Sequence, residues 1–405
     1  MELSQCKERL DAWFSDKEPE MLSMLERIVN MDSFTNDAAD VNKVGEVVTG
    51  WLAEAGFHTA KLPKKPAPAD EQWMNGLGNV FSARTHSVEC GPGVAFIGHM
   101  DTVFPAGTAG ARPFRLDRAT GPGVTDMKAG IVQNMFVARA LKELGLMDVP
   151  MTLTFSPDEE LGSPSTTPIL GEQLNGAQAV ICTEPGYPGG GVTLERKGSG
   201  HMFLEIMGIS AHAGRCYQDG ASAILELAHK ILAFDAYVDL DHDTTVNTGL
   251  VNGGTSANSV APNASARIHI TFKTLEAGRR LAEALRAETA KNHIPGTGSH
   301  ISGGVRLPPL VPTPGVMKLF SLAEQAGELI GYSVHSAPSK GTAESGYCSS
   351  VLGVPAICSM GPEGSNLHSA DEYMIPSTFV PRCKLAALTA IQAARAFAPA
   401  AKVSL

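Results

Sequence analysis

Acidic and histidine side chains follow several apolar, strand-like segments of this sequence. One such segment starts at Gly93, a second is "TLTFS" (152–156), and a third is "AVIC" (179–182). Since the carboxyl ends of parallel strands face the ligand crevice of an open sheet, we expect the side chains that follow them to converge. Asp126, which precedes a predicted helix, and His368, which lies late in the chain, complete the group. The candidate site residues are therefore His99, Asp101, Asp126, Glu159, Glu160, Glu184 and His368.

Two histidines and three carboxylates are ligands of borderline hardness, suited to Zn²⁺ or Co²⁺. An open catalytic zinc takes about three protein ligands, so a larger set fits two metal ions that share one carboxylate. Asp101 is two residues from His99, on the same face of an extended segment, where it can accept the second ring N–H of the histidine. Taken singly, Asp126 also fits a helix N-cap, and paired glutamates also fit a solvated helix start.

The elements that position these residues alternate between strand and helix patterns. Apolar periodicity predicts helices at 21–30, 41–55, 128–144 and 167–174, and short apolar runs predict strands at 93–100, 151–155 and 179–182. Strand–helix–strand order at this spacing predicts βαβ units and a mostly parallel sheet. The expected fold class is therefore α/β.

The pattern changes near residue 197 and changes back near residue 310. Residues 201–292 predict strand, helix, strand, strand and helix, which is a compact α+β unit of about 110 residues with its flanking segments. The proline-rich segment 306–315 predicts a linker, after which a helix at 316–330, a strand at 355–360 and a helix at 381–396 resume the α/β pattern. We expect one domain from 1–196 and 310–405, with a second domain, 197–309, inserted into it.

Charge and cysteine usage narrow the class of protein. The net charge of −10 over 405 residues disfavours nucleic acid and anionic membrane surfaces as partners. We see neither a signal peptide nor an apolar run long enough for a membrane helix. The seven cysteines are scattered without a CxxC pair, which is typical of a reduced, cytoplasmic protein.

The motifs "GHMDTV", "GPGVTDMKAG", "SPDEELGS", "TEPG", "SAHAG" and "NLHSADEY" together resemble those of the M20 metallopeptidases, and most closely their glutamate carboxypeptidase branch. The resemblance implies a zinc-peptidase catalytic domain holding two Zn²⁺ per subunit, with Co²⁺ or Mn²⁺ as substitutes. It places His99 and Glu184 on one ion, Glu160 and His368 on the other, and Asp126 between them. Asp101 would orient His99, and Glu159 would be the general base.

The inserted domain resembles the lid and dimerisation domain of that family, which implies a homodimer. The family supplies a histidine across the dimer that polarises the scissile carbonyl, and His212 in "SAHAG" matches it. Asn258 and Arg306 match residues that contact the substrate, Arg306 as a clamp for its carboxylate. Two positions depart from the pattern: Thr271 stands where relatives carry arginine, and Glu344 where they carry aspartate.

These observations predict a metal-dependent hydrolase that cleaves an amide bond in a small N-acyl amino acid or short peptide. A glutamate-type carboxypeptidase is the first hypothesis. An amino-acid deacylase of the acetylornithine or succinyl-diaminopimelate type, or a di- or tripeptidase, is the alternative within the same chemistry. A non-catalytic metal- or ligand-binding protein on the same fold is the alternative from another class.

Overall fold

The computed structural model describes residues 1–399 and 402–405. Eleven α-helices occur in this part of the chain. They are α1 Leu3–Phe14, α2 Glu18–Val29, α3 Ala38–Glu54, α4 Thr108–Ala111, α5 Ala129–Glu143, α6 Thr166–Leu174, α7 Ala223–Asp235, α8 Leu275–Thr289, α9 Pro314–Ile330, α10 Ser345–Ser350 and α11 Phe379–Ala396.

Fourteen β-strands, several of only two residues, occur in the same described ranges. They are β1 His58–Lys61, β2 Phe81–Arg84, β3 Val94–His99, β4 Met151–Ser156, β5 Ala179–Cys182, β6 Gly191–Val192, β7 Gly198–Met207, β8 Thr245–Gly253, β9 Asn263–Phe272, β10 Gly298–Leu307, β11 His335–Ser336, β12 Ala356–Ile357, β13 Gly364–Ser365 and β14 Tyr373–Met374.

The chain divides into two compact units, each with its own core. The first comprises residues 1–67, 72–196 and 310–405, and the second comprises residues 68–71 and 197–309. Residues 68–71, which we had expected in the larger domain, group with the second unit. Glu71 explains this grouping, because its carboxylate forms a buried ion pair with Arg306 of the second unit.

The first unit is built on a six-stranded sheet in the order β1-β2-β4-β3-β5-β12. Strands β4, β3, β5 and β12 run parallel, while β1 and β2 add an antiparallel edge. Strands β3, β4 and β5 are buried along their whole length, as expected for parallel strands covered on both faces. The predicted α/β class with a mostly parallel sheet is confirmed.

The strand order creates a topological switch point at β3. The chain goes from β3 through α5 to β4 on one side, and then through α6 to β5 on the other side of β3. Ligands of open α/β sheets bind at the carboxyl ends of strands beside such a point. The sequence order therefore places the ends of β3, β4 and β5 at the expected ligand crevice.

The second unit is a four-stranded antiparallel sheet in the order β10-β7-β9-β8. Helices α7 and α8 supply apolar side chains to its core. Ser222 caps α7 by accepting the amide of Leu225, and Thr274 caps α8 by accepting the amide of Ala277. These caps explain why each helix begins directly after its turn.

The predicted linker 306–315 was wrong at both ends. Residues 306 and 307 complete strand β10, and residues 314 and 315 begin helix α9. Thr313 caps this helix, and Pro314 is its first residue. The strand expected at 355–360 is only Ala356–Ile357. Among the described residues, no helix is both long and apolar enough to cross a membrane.

Candidate metal centre

Three parallel strands deliver side chains to one edge of the sheet in the first unit. His99 is the last residue of β3, Glu159 and Glu160 form the turn three residues after β4, and Glu184 lies two residues beyond β5. One ligand atom each from His99, Glu159 and Glu184 lies within 4.8 Å of the others, and so do atoms of His99, Asp126 and Glu160. The convergence expected at this edge is what the structure shows.

Asp126 stands between the two histidines. Its Oδ1 lies 3.1 Å from Nε2 of His99, and its Oδ2 lies 3.2 Å from Nε2 of His368. His99 Nε2 also lies 3.6 Å from Glu184 Oε1, while His368 Nε2 lies 3.1 Å from Glu160 Oε2. The donors thus form two groups, each with one histidine and one glutamate, and Asp126 presents one oxygen to each group.

Asp101 contacts both His99 and the turn that carries the paired glutamates. Nδ1 of His99 lies 3.0 Å from the backbone oxygen of Asp101 and 3.4 Å from its Oδ1, so the other ring nitrogen faces the acids. The same carboxylate accepts the backbone amides of Glu159 and Glu160, both at 3.2 Å, and the hydroxyl of Thr35 at 2.8 Å. Fully buried, it fixes the histidine and the turn that carries the paired glutamates.

The acids and histidines perturb one another's pKa values. Burial opposes charge on His99, yet hydrogen bonds to Asp101 and Asp126 raise its pKa well above the ordinary value. Hydrogen bonds to Asp126 and Glu160 raise the pKa of His368 to about 10. Burial raises the pKa of Glu184 to about 8. Without a metal, the cluster therefore keeps protons on its histidines, because the carboxylates need nearby positive charge.

This donor set fits metal ions. Buried Glu160 Oε1 accepts no hydrogen bond from any residue within the described ranges, and a buried carboxylate oxygen without a partner is costly. Imidazole and carboxylate suit Zn²⁺ and similar divalent ions. A cation among these groups would satisfy that oxygen and supply the positive charge that the histidine protons supply in its absence.

The two adjacent glutamates have different surroundings. The Glu160 carboxylate lies 3.1 Å from Nε2 of His368, whereas the Glu159 carboxylate groups with His99 and Glu184. Burial, followed by the charge of Glu184, raises the pKa of Glu159 well above the ordinary value. Glu159 is thus disposed to hold and release a proton beside the ligand groups.

The remaining predicted site residues belong to the second unit. His212 and Asn258 are exposed and lie in neighbouring loops, joined where the amide of Ala213 donates to the backbone oxygen of Asn258 at 3.0 Å. Nδ1 of His212 accepts the amide of Gly214 at 3.2 Å. Both loops border an open cavity of about 510 Å³.

Arg306, near the end of β10, is held by a carboxylate of its own chain. Its Nη1 donates to Glu71 Oε2 at 3.1 Å, and its Nη2 makes a second, very short contact with Glu71 Oε1. The side chains of Arg306 and Glu71 are 11% and 6% exposed. A two-pronged contact of this kind is what a carboxylate-binding arginine makes, and Glu71 currently provides the carboxylate.

Sequence reasoning gave no structural task to three buried acids around the centre, of which Glu344 was noted only as a departure from the family pattern. Asp158 accepts the amide and hydroxyl of Ser165, both at 2.7 Å, and so fixes the turn before Glu159. Glu344 accepts the hydroxyl of Ser163 at 2.8 Å, and its charge adds to the raised pKa of Glu159. Glu372 contacts the turn of Asp126. For Asp158 the adjacent serines and threonine were a usable signal, whereas the partners of the other two lie 181 or more residues away.

A mostly parallel sheet that gathers histidines and carboxylates at its carboxyl edge defines a metallohydrolase. The chain belongs to peptidase family M20/M25/M40, whose profile matches residues 95–392. The resemblance seen in the motifs is therefore confirmed, and the chain is a hydrolytic enzyme of this family.

Individual relatives agree with this assignment. The carboxypeptidase G2 of Pseudomonas sp. (strain RS-16) is 24% identical over 376 residues, covering 91% of this chain and 88% of the relative. The structure of an M20 family metallo-carboxypeptidase from Sulfolobus solfataricus matches with a TM-score of 0.73 at 16% identity, covering 93% of this chain and 99% of that one. A Staphylococcus aureus tripeptidase matches with a TM-score of 0.68 at 18% identity and the same coverage.

Proposed function

We propose that this enzyme is a dinuclear zinc-dependent carboxypeptidase of the glutamate type, acting on N-acyl amino acids or short peptides. The observation that carries the proposal is the position of Asp126, whose two oxygens face two histidines at 3.1 and 3.2 Å. A carboxylate shared in this way is the donor that a two-metal hydrolase requires. His99 with Glu184 would hold one ion, and His368 with Glu160 the other.

The residues of the chain have distinct tasks in this reaction. Zinc bound at the centre would lower the pKa of a water molecule and polarise the scissile carbonyl. Glu159 accepts a proton from the water as its oxygen attacks the carbonyl carbon. Glu159 then delivers that proton to the leaving nitrogen as the C–N bond breaks. Asp101 keeps His99 in orientation, and His212 donates a hydrogen bond to the carbonyl oxygen.

The two-pronged geometry of Arg306 supports a substrate that ends in a carboxylate, with Asn258 as a second contact. A deacylase or a di- or tripeptidase uses the same metal chemistry, and the fold shared with a tripeptidase keeps this alternative open. The protein is proposed to work in the cytoplasm, consistent with seven free cysteines, and without nucleic acid or membrane as a partner.

Release of amino acids by the zinc-loaded and chelator-stripped enzyme tests the proposed function. The panel holds N-acyl and dipeptide substrates ending in Glu, Asp, Ala, Leu, Arg or ornithine. Zinc-dependent release of glutamate or aspartate above the others is the expected result. Preference for a basic or neutral amino acid would move the enzyme to the deacylase or dipeptidase alternative.

The ion pair of Arg306 with Glu71 leads to a second prediction. If substrate and Glu71 compete for the guanidinium, Glu71→Gln should lower KM for carboxylate-ended substrates by about 10- to 100-fold, since one charged partner contributes about 1.5–3 kcal/mol. The double variant Glu71→Gln/Arg306→Gln should raise KM without leaving a buried charge unpaired. The measurement is KM for each substrate and for its carboxamide analogue, which neither variant should affect. A higher KM in Glu71→Gln would mean that the pair serves only the fold.

Homodimerisation through the second unit is supported by an unprotected sheet edge. Strand β8 is an edge strand, and its Leu250 and Val251 are 64% and 60% exposed. Proteins rarely leave apolar edge strands in water. We expect Leu250→Asp to shift the protein from dimer to monomer in size-exclusion chromatography with light scattering. Leu116→Asp, a matched change at a 58% exposed leucine of the first unit, should leave the dimer intact; a wild-type monomer would contradict the proposal.

A further inference from the structure

Glu372 is a buried acid to which neither the sequence motifs nor the proposed reaction gives a task. It lies four residues after His368, at the end of the same C-terminal loop, and is only 1% exposed. A carboxylate removed from water to this degree needs strong hydrogen bonds to remain charged. Its partners therefore show what it does.

Within the described residues, the Glu372 carboxylate accepts its hydrogen bonds from the backbone of one turn. Oε2 of Glu372 accepts the amide of Gly123 at 2.9 Å, and Oε1 accepts the amides of Thr125 at 2.8 Å and Asp126 at 3.0 Å. Three of the four amides between residues 123 and 126, in the turn that carries the central aspartate, thus donate to one side chain. The conformation of Asp126 is fixed from behind, while its own carboxylate points toward the histidines.

The backbone reinforces the same connection. The amide of Met374 donates to the oxygen of Ala119 at 3.0 Å, and Thr120 forms an antiparallel bridge with Tyr373. Two segments about 250 residues apart in sequence are consequently joined at Glu372 and at the two residues that follow it. One of these segments carries Asp126 and the other carries His368.

We infer that Glu372 is a positioning residue of the metal centre, which holds Asp126 in register with the two histidines so that one carboxylate can serve both ions. The inference rests on the metal site of the proposed function. It means that Glu372, which is not itself a ligand, sets the position of Asp126 relative to the two histidines. Groups that orient ligands in this way typically change metal affinity by 10- to 100-fold when they are altered.

The test is Glu372→Gln in the full-length protein. The amide keeps the size of the side chain but replaces one acceptor oxygen with an N–H₂ group, which faces backbone donors and cannot accept from them. We expect the affinity for Zn²⁺, measured by competition with a chelator of known affinity, to fall by about 10- to 100-fold. Metal content after dialysis should fall below that of the wild type. Neither readout depends on catalytic activity.

A control separates positioning from simple loss of stability. Glu226 in the second unit is equally buried, and its Oε2 accepts the backbone amides of His293 at 2.8 Å and Ile294 at 2.7 Å. Glu226→Gln should lower the melting temperature at least as much as Glu372→Gln, because it leaves the buried charge of Lys230 without its carboxylate partner. It should leave zinc affinity unchanged.

The possible outcomes separate the positioning role of Glu372 from the proposed function of the enzyme. Wild-type zinc affinity in a destabilised Glu372→Gln variant overturns the inference and leaves the proposed function intact. A wild-type protein that binds no Zn²⁺ overturns the proposed function itself. If Glu372→Gln cannot be purified folded, Glu372→Asp replaces it, because this variant keeps the charge on a side chain one methylene shorter. Unchanged zinc affinity in Glu372→Asp, with a lowered melting temperature, would also overturn the inference.

Discussion

Glu159→Gln is expected to lower kcat by about 10²- to 10⁴-fold, which is the usual contribution of a general acid–base group, while the protein keeps its metal. The glutamine has nearly the same size but cannot accept a proton from water or deliver one to the leaving nitrogen. Glu159 lies among the ligand groups, and its raised pKa suits a residue that must hold a proton during turnover. The measurements are kcat on the best substrate of the panel and zinc content after dialysis.

The neighbouring residue supplies the matched control. Glu160→Gln makes the same chemical change one position along the same turn, but removes the carboxylate that contacts His368 at 3.1 Å. We expect this variant to lose metal and activity together, in contrast to Glu159→Gln. Cys216→Ser, a change at a half-buried free cysteine of the second unit, should change neither quantity. Full activity in Glu159→Gln would refute the general-base assignment.

Removal of metal is expected to abolish turnover and to lower the melting temperature, and addition of Zn²⁺ should restore both. The centre concentrates buried carboxylates whose mutual repulsion is opposed largely by protonated histidines when no ion is bound. A ligand that binds only the folded state stabilises it in proportion to its affinity. The experiment compares thermal unfolding and amino-acid release before chelation, after chelation and after reloading.

The pKa values also predict how zinc affinity depends on pH. In the metal-free state, hydrogen bonds to Asp126 and Glu160 raise the pKa of His368 to about 10, and burial raises that of Glu184 to about 8, so both groups carry protons at pH 7. Metal ligands must be deprotonated. Zinc binding should therefore release protons, roughly two to three per protein at pH 7, and apparent affinity should rise with pH from 6 to 8.

Calorimetry of zinc binding in buffers of different ionisation enthalpy counts those protons. A variant such as Glu172→Gln, at an exposed ion pair with Lys65, serves as the unaffected control. Binding without proton release at pH 7 would show that the histidines are already neutral in the metal-free protein.

In the chelation experiment described above, full turnover after complete removal of metal would refute metal dependence.

Much of the first unit could be predicted from the sequence because its signals are local. The strands β3, β4 and β5 are short apolar runs, and each is followed within four residues by a polar side chain of the centre. Parallel topology then brings these side chains together without further information. The spacing of His99 and Asp101 likewise placed the two on the same side of the chain, as the contact at 3.4 Å shows.

The parts that could not be predicted depend on distant partners or on weak local patterns. Strand β10, "GSHISGGVRL", is rich in glycine and serine and lacks clear alternation, so that only its pairing with β7 makes it a strand. The ion pair of Arg306 with Glu71 joins residues 235 positions apart. No local pattern could have indicated that this arginine already has a carboxylate, or that Glu372 holds the turn of Asp126.

The order of the centre's residues along the chain has a consequence for biosynthesis. Four of the five candidate ligands lie before residue 197, whereas His368 and Glu372 follow the inserted second unit. A ribosome therefore exposes a cluster of acids more than 180 residues before the last histidine emerges. Since domains fold as they leave the ribosome, the second unit can fold before the first unit is covalently complete. A nascent or truncated chain that stops before residue 368 would thus lack one of the five candidate ligands.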